Sequence, residues 1–487
     1  FEMTGQIEQA RAGALRFLKS MEISPGIYTN STFNKPVKIR GMTLPATYNA
    51  VHCLKLLGAE TGDSALLADF FNSFQHDSGA WRIPEMRAED LYHPWFDSPF
   101  EYDDFHLTNY ALGALEGLGR PQKPLAFLSA YDTREKLAAW LQRRDMRNPW
   151  VEGNYMVNLA SFYFFEMQNG GEQYQELVEQ MLDWHLKNQD AFGYWHDPSI
   201  EDLVSAMAGA AHNFHLFYFL NRPVPRYRNI IDHCLSLPNE ISSACIDIDI
   251  VDILGHFHAY GYRTADIAQY LAKKLADLLA VQQADGGFYD TTQGVRLFDG
   301  WKAYEEPQGL SNCFATWFRM ASIGICACIL YPEQRGDWHF RKGIGIGYFN
   351  PEYLSNGFDE PEELPAPVYQ ADGGAELPAA LPCGKETLEL MAAMEEKVAG
   401  TKDNLVCVFY LKDGGVFTLD LSAPERKLSA GAAERCDLRV ETSLKTLAAV
   451  LEGRLLPTVA YAMKKIKLKG DMGKALKLVA CLGKRRP

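Results

Sequence analysis

The chain reads as two domains, an all-α array of stacked helical units followed by a small α+β domain. Three observations predict this. A short pattern recurs as Gln75-x-x-x-Gly79-x-Trp81, Gln189-x-x-x-Gly193-x-Trp195 and Gln283-x-x-x-Gly287-x-Tyr289, with a weaker relative from Trp140 to Trp150. Self-similarity at intervals of roughly fifty residues or its multiples marks stacked helical units. Ten or more helix-like stretches precede residue 350 with no convincing run of strands, and a stretch rich in Pro, Gly and acid, Phe358 to Gly384, then changes the texture. At 487 residues the chain exceeds one ordinary core.

In order, the helical expectations begin with Gln6–Lys19, apolar on one side. LPATYNAVHCLKLLG follows, with Tyr48, Val51, Leu54 and Leu57 at helical spacing and Gly58 as its stop. HLTNYALGALEGLG repeats that pattern, ending at Gly119. Between them LYHPWFDSPFEYDDFH is aromatic and acidic with two Pro, which predicts a loop carrying Glu101, Asp103 and Asp104. Helices are expected at Arg134–Arg144, Tyr155–Gln168, Gln173–Asn188, Ser205–Leu220, Ile241–Tyr260, Thr264–Gln283 and Gly309–Leu330. Each repeated mark falls just past a helix end. There its Gly supplies a left-handed C-cap, its aromatic ring folds back on the preceding turn, and its Gln bonds free carbonyls. The domain bounds read as 1–350 for the helical array, 351–384 for a linker and 385–487 for the second domain. In the last, an amphipathic helix runs from Thr387 to about Lys397. A hairpin turns at Asp413-Gly414-Gly415, CDLRVETS is a strand, LKTLAAVLEG is a helix, and YAMKKIKLKGDMGKALKLVACL closes the chain.

Bulk properties narrow the function. The hydrophobic fraction is 47%, and no uncharged apolar run of about eighteen residues is present. The opening FEMTGQIEQARAGALRFLK lacks a basic region followed by an apolar core, so it does not read as a signal peptide. Ten Cys lie scattered in apolar surroundings, which favours a reducing compartment and a cytoplasmic location. Cys326-Ala-Cys328 reads as buried thiols rather than a metal site. From Lys385 onward 19 Lys+Arg stand against 13 Asp+Glu, a charge of +6, which leaves −20 on the rest of a chain of net charge −14. An acidic body argues against nucleic acid as a partner. The basic end suits transient contact with an anionic membrane surface or with the acidic body.

Several runs carry candidate chemistry. Cys245-Ile-Asp247-Ile-Asp249-Ile-Val-Asp252 sets three carboxylates in an otherwise apolar stretch, unusual company for acids. On a helix Asp249 and Asp252 share a face and Asp247 points elsewhere. One reading makes Asp249 a buried acid tuned by Asp252 or Asp247. The other has these acids cap a helix or face an Arg. His212-x-x-His215 shares a helical face without a third ligand, so packed or cavity-lining histidines are the better reading than metal ligands. In LFDGWKAYEEP, Asp299, Trp301, Tyr304, Glu305 and Glu306 either line a cavity, where aromatic faces stabilise a cation, or rim the array, with Glu305 the acid singled out. Asp249 with Glu305 is also conceivable as a glycosidase pair. Gly343, Gly345 and Gly347 have the wrong spacing for a dinucleotide fingerprint. No metal and no cofactor is expected.

Two resemblances add to this. Asp420-Leu421, Asp437 to Ser443, Leu444 to Gly453 and Ile466 to Leu478 resemble the sterol carrier protein 2 family over about a hundred residues. That implies a five-stranded sheet with helices on one side and an apolar tunnel for sterols, fatty acyl chains or similar lipids. Met463, Ile466, Leu468, Met472, Leu476 and Leu478 are the implied wall residues, and plain core is the alternative for each. The Gln/Gly/Trp marks and QADGGF resemble the (α/α)6 toroid of terpenoid cyclases and protein prenyltransferases. Against the prenyltransferase zinc site, Trp301 stands in place of the thiolate and Asn312 in place of the His, so that chemistry fails. Against the D-x-D-D acid motif of class II cyclases, Asp247-x-Asp249 matches but Ile250 replaces the last Asp. The resemblances together imply a hydrophobic isoprenoid, sterol or other lipid ligand. They imply a cyclase or isomerase using Asp249, or a lipid-binding and transfer protein without catalysis.

Overall fold

The computed structural model describes residues 2–35, 37–90, 100–197, 203–292, 295–298, 301–361, 385–398, 403–411, 415–423, 427–430, 433, 436–455, 457–462, 465–470, 474–475, 478 and 482. The chain divides into two compact units. One comprises Phe1–Arg144, Trp150–Trp195 and Ala206–Pro367, the other Asp145–Pro149, His196–Ser205 and Val368–Pro487.

Twelve helices of eight or more residues make up the first unit among the described residues: α1 (Glu2–Met21), α2 (Thr43–Leu56), α3 (Ser64–Asn72), α4 (Glu101–Leu115), α5 (Arg134–Gln142), α6 (Pro149–Gln168), α7 (Tyr174–Asn188), α8 (Leu203–Phe219), α9 (Tyr227–Ser236), α10 (Ala244–Phe257), α11 (Thr264–Ala280) and α12 (Cys313–Leu330). Their burial alternates. The odd-numbered helices bury one stripe, as in Ile7, Ala10, Ala14, Phe17 and Met21 of α1 or Ile267, Leu271, Leu275 and Leu278 of α11. The even-numbered helices are buried nearly all round: every described position of α8 from Ala206 to Tyr218, and all of α10 from Asp247 to Phe257. An even helix thus has neighbours on every side and an odd helix faces water. By length and composition α12 would cross a bilayer, but 83% of it is buried inside the protein. It packs against α1, α2, α10 and α11.

The repeated marks join the units. Gln75 Nε2 donates to Gly79 O (2.9 Å) and to Lys123 O (2.7 Å) ahead of α5. Gln189 Nε2 donates to Gly193 O (3.0 Å) and to Pro225 O (2.9 Å) ahead of α9. Trp81 and Trp195 fold back, their indole N–H donating to Phe71 O (2.8 Å) and His185 O (2.9 Å). The third mark lies one residue earlier than its spelling indicates. Gln282, not Gln283, makes the paired bonds, to Gly286 O (2.8 Å) and to Ala10 O (2.9 Å) in α1. Gly286 takes the left-handed φ of +91° that Gly79 and Gly193 take at +87° and +93°. The bond that ties each unit to the next therefore also ties the last units to the first helix. The backbones meet closely there, since a Cβ on Gly286 would lie 2.1 Å from Gly13 O.

Three sequence expectations need correction. The run carrying Glu101, Asp103 and Asp104 is the first turn of α4 rather than a loop. Residues 91–99 before it lie outside the described set. Strands also exist in this unit: β1 (Glu22–Ser24) pairs with β2 (Ile27–Tyr28), and β3 (Val295–Phe298) pairs antiparallel with β4 (Trp301–Pro307). Nor does a linker begin at 351. Tyr353 OH donates to Arg222 O (2.7 Å), and Glu360 accepts from Tyr227 OH (2.8 Å) and Arg228 (2.7 Å), so residues 351–361 pack on the helical unit. Residues 362–384 lie outside the described set.

The second unit contains α13 (Lys385–Val398), β5 (Val406–Leu411), β6 (Gly415–Asp420), β7 (Leu428–Ala430), β8 (Leu438–Thr442), α14 (Leu444–Leu451), α15 (Pro457–Ala462) and β9 (Lys467–Gly470). The sheet order is β7-β6-β5-β8-β9, with β5 and β8 parallel and the other pairs antiparallel. The described turn residue Gly415 sits at φ +89°; Asp413 and Gly414 lie outside the described set. Met391 and Met394 of α13 and Leu447, Val450 and Leu451 of α14 close the core over Cys407, Phe409, Phe417 and Val440.

Candidate functional site

The three aspartates of α10 occupy three different environments. Ser243 starts the helix, its hydroxyl accepting from Ile246 N (3.3 Å), and the sequence Ala-Cys-Ile-Asp-Ile-Asp-Ile-Val-Asp then winds the acids inward among Ile and Val.

Asp247 is fully occupied. Lys274 Nζ lies 3.0 Å from one oxygen, Arg319 Nη1 2.8 Å from the other, and all three side chains are buried. The remaining donors of Arg319 go to the carbonyls of Tyr289, Ser242 and Asp290. Both cations are held by this carboxylate, so Asp247 is a structural counter-ion rather than part of an acid pair.

Asp249 is 1% exposed, and neither of its carboxyl oxygens has a hydrogen-bond partner. Burial, and then the neighbouring Asp252 carboxylate, push its pKa well above the ordinary aspartate range. The protonated form is therefore favoured over the pH range in which a free aspartate ionises.

Asp252, one turn further, behaves oppositely. Burial alone would raise its pKa, but the charges of His256 and His215 outweigh burial and hold it at about 2. His215 Nε2 is 3.3 Å from Oδ2, and His256 Nδ1 is 3.3 Å from Oδ1. The backbone sets both rings. Gly345 N donates to His215 Nδ1 (3.3 Å) and Asn350 N donates to His256 Nε2 (3.1 Å). Each ring therefore accepts on one nitrogen; His256 Nδ1 also bonds the Asp252 carbonyl oxygen (3.1 Å), whereas His215 Nε2 and Asp252 Oδ2 face each other without a hydrogen bond. Gly345 at φ +131°, in the Gly343–Gly347 run, forms part of this support. Tyr218 stacks on His256 with ring centroids 3.6 Å apart.

His212 precedes His215 by one turn. Burial, then the nearby His215 and His106, lower its pKa to about 3, and its Nδ1 has no hydrogen-bond partner. It is a neutral imidazole. Among the described residues no group of three or more His, Cys, Asp or Glu is placed to hold a metal ion.

The aromatic run after β3 is strand, not rim. Along β4 Trp301, Tyr304 and Glu306 are buried while Ala303 and Glu305 are exposed. Glu305 is thus corrected as a cavity residue. The inward carboxylate is Glu306, which accepts from Asn30 Nδ2 (2.5 Å), Ser31 Oγ (2.5 Å) and Tyr304 OH (2.7 Å). Asp299 lies outside the described residues. Tyr304 and Glu306 line a pocket of about 30 Å³ with Asn30, Tyr48, His106 and Tyr110. Sequence reasoning named Glu306 within its run but singled out Glu305 as the cavity acid, and it missed His106 and His256. Period-two alternation in WKAYEEP was the available signal for Glu306. Of the named lipid-wall residues, Ile466 and Leu478 are buried in the core of the second unit and Leu468 packs partly buried against it. Met463, Met472 and Leu476 lie outside the described residues.

Comparison with known proteins follows the same division. Residues 385–483 match the family model of the SCP-2 sterol transfer family. Among solved structures, a sterol carrier protein 2 like 2 from Aedes aegypti is similar at 21% identity and TM-score 0.18, over 20% of this chain and 94% of that one. The sterol carrier protein domain 2 of Helicoverpa armigera is similar at 21% identity and TM-score 0.19, over 21% and 91%. A type II terpene cyclase from Scytonema, in complex with its substrate geranylgeranyl dihydroxybenzoate, is similar at 10% identity and TM-score 0.35, over 67% of this chain and 97% of that one. No curated relative matches the chain. Lipid handling is the function that the C-terminal match supports.

Proposed function

We propose that the helical unit, a toroid of paired helices, is an acid-initiated cyclase or isomerase of isoprenoid or steroid substrates, joined to a lipid-carrier domain. The observation that carries this reading is the α10 pair: Asp249 buried, without a hydrogen-bond partner and with its pKa pushed up, one turn from an Asp252 whose pKa is held at about 2. In the proposed step the Asp249 proton passes to an alkene or epoxide. A C–H or O–H bond forms, the substrate becomes a cation, and Asp249 becomes a carboxylate. The fixed Asp252 charge then stabilises the nascent cation in a water-poor site. Loss of a proton from the rearranged cation restores the balance without net redox change. Tethering a carrier domain raises the effective concentration of its lipid at the toroid.

A second reading, a lipid-binding and transfer protein without catalysis, is favoured by one observation. The pocket beneath β4, at about 30 Å³, is far smaller than an ordinary small-molecule site, and Asp249 lines neither it nor the two larger pockets described below. Asp249→Asn separates the two. Full-length protein is incubated with a total lipid extract, and bound and released species are identified by mass spectrometry. The cyclase reading expects a product-like species from the native chain, none from the variant, and unchanged lipid retention in both. If native chain and variant return the same unaltered lipids, the acid-initiated reading fails.

A further inference from the structure

Away from the α10 acids, the C-terminal ends of α2, α4 and α6 border two adjacent pockets, of about 200 and 280 Å³. Arg341 and Glu116 line both. Arg341 comes from the segment that follows α12, and among the described residues no carboxylate lies within ion-pair distance of its guanidinium. Nη2 donates to Asn109 Oδ1 (2.6 Å) and Asn109 O (3.2 Å), Nη1 reaches Ile346 O at 3.4 Å, and Nε is buried with no hydrogen-bond partner. Glu116 is engaged elsewhere, accepting from Lys342 N (3.0 Å) and Gly343 N (2.7 Å). Lys55 and Lys342 line the smaller pocket, and Lys55 bonds only to carbonyls at the end of α4. Arg120 lines the larger one. The smaller pocket therefore carries three cations against one acid. This excess is lodged in a region whose overall charge is strongly negative. Space is reserved for the guanidinium, since a Cβ on Gly113 would lie 2.6 Å from Arg341 Nη2.

The larger pocket adds an apolar wall of Phe164, Phe165, Phe219 and Leu112. Cation and wall together select for a ligand with both characters. A planar guanidinium whose charge no carboxylate matches among the described residues suits a carboxylate or phosphate oxygen, and the phenyl rings suit a short hydrocarbon. At this volume the pocket lies near the lower end of small-molecule sites. We propose that this pocket is a second ligand site, for an amphipathic anion whose carboxylate or phosphate head binds Arg341 and whose short apolar tail lies along Phe164, Phe165 and Phe219. The site stands independently of whether Asp249 is a catalytic acid.

The test uses full-length protein and a decyl phosphate bearing a photoreactive diazirine on its tail, with labelled peptides mapped by mass spectrometry. Label is expected on peptides containing Phe164–Asn169 and Phe219. Unlabelled decyl phosphate or decanoate should compete, and decanol or inorganic phosphate should be at least tenfold weaker competitors. Arg341→Gln should reduce that labelling at least tenfold while labelling within residues 385–483 stays unchanged as an internal control. Because Arg341 also holds Asn109, the exposed Arg120→Glu and the half-buried Phe165→Glu provide variants that leave that contact intact, and each should lower labelling several-fold. No label at these peptides, equal competition by decanol or by inorganic phosphate, or labelling unaffected in all three variants would overturn the proposal.

Discussion

Asp249 and Asp252 lie one turn apart and titrate in opposite directions, which gives each a distinct mark on stability. The native chain holds the Asp249 proton above pH 3.8, where an unfolded aspartate releases it, so unfolding in that range releases a proton. Asp249 thus lowers stability progressively as pH rises from about 3.8 toward its native pKa. Asp252, held at about 2, contributes stability above 3.8 that is lost as pH falls from 3.8 to 2. Asn carries no titrating proton, so Asp249→Asn should lose the first slope and keep the second. Thermal melts from pH 3 to 8 should show the variant gaining on the native chain as pH rises. Parallel curves would mean that Asp249 ionises normally. Asp247 belongs to another class. Removing it by Asp247→Ala leaves Lys274 and Arg319 buried and unpaired, and should cost about 3–5 kcal/mol in denaturant unfolding at any pH where carboxylates are ionised. An unchanged midpoint would show that the carbonyl partners of those cations suffice.

At the level of elements, the Gln side chains after the helices decide how neighbouring units join. Gln282→Ala removes two bonds to backbone carbonyls, one of them across to α1, and should cost about 1–3 kcal/mol. Gln283, whose Nε2 reaches only Val281 O, should tolerate Ala with little change. Denaturant midpoints of the two variants separate these outcomes, and equal losses would restore the register spelled by Gln283, Gly287 and Tyr289. Adjacent Gln282-Gln283 and Gly286-Gly287 fit the pattern in either register, and it is the positive φ at Gly286 and the paired bonds of Gln282, neither visible in the sequence, that choose between them. The helices themselves were legible because apolar spacing is a local property. The first turn of α4 was not, because aromatic and acidic residues beside two prolines carry loop chemistry, and burial against neighbouring helices overrides that preference. The face of β4 was hidden in the same way. A short strand in a helical unit announces itself only by alternation, so Glu305 was singled out where Glu306 points inward. Asp249 and Asp252 were readable as partners from i,i+3 spacing. His256, four residues after Asp252 on the same helix, was also within reach of spacing and was overlooked, whereas His215 could not be paired with Asp252 that way because it comes from α8; both tautomers depend on backbone N–H groups nearly a hundred residues or more away in sequence.

For the whole molecule, the uneven charge is the property with a direct consequence. The chain carries −14 overall, yet the segment from Lys385 carries +6. Part of that excess lies along β9 and the residue pair before it: Lys465 and Lys467 are exposed and Lys469 half-buried, while Ile466 is buried between them. β9 is an edge strand, where lysines also serve to discourage pairing with another chain. Membrane contact and edge protection differ in what they predict. A surface lysine near an anionic bilayer contributes about 1 kcal/mol, so three together amount to about a hundredfold in partitioning, screened over roughly 8 Å at physiological salt. Full-length protein should therefore sediment with vesicles containing phosphatidylserine, less so as salt is raised, and not with neutral phosphatidylcholine vesicles. Reversing all three as Lys465→Glu, Lys467→Glu and Lys469→Glu should lower that partitioning at least tenfold without dissociating or associating the chain. If the variant instead partitions normally but self-associates, the lysines protect the edge, and the +6 has no role at a membrane.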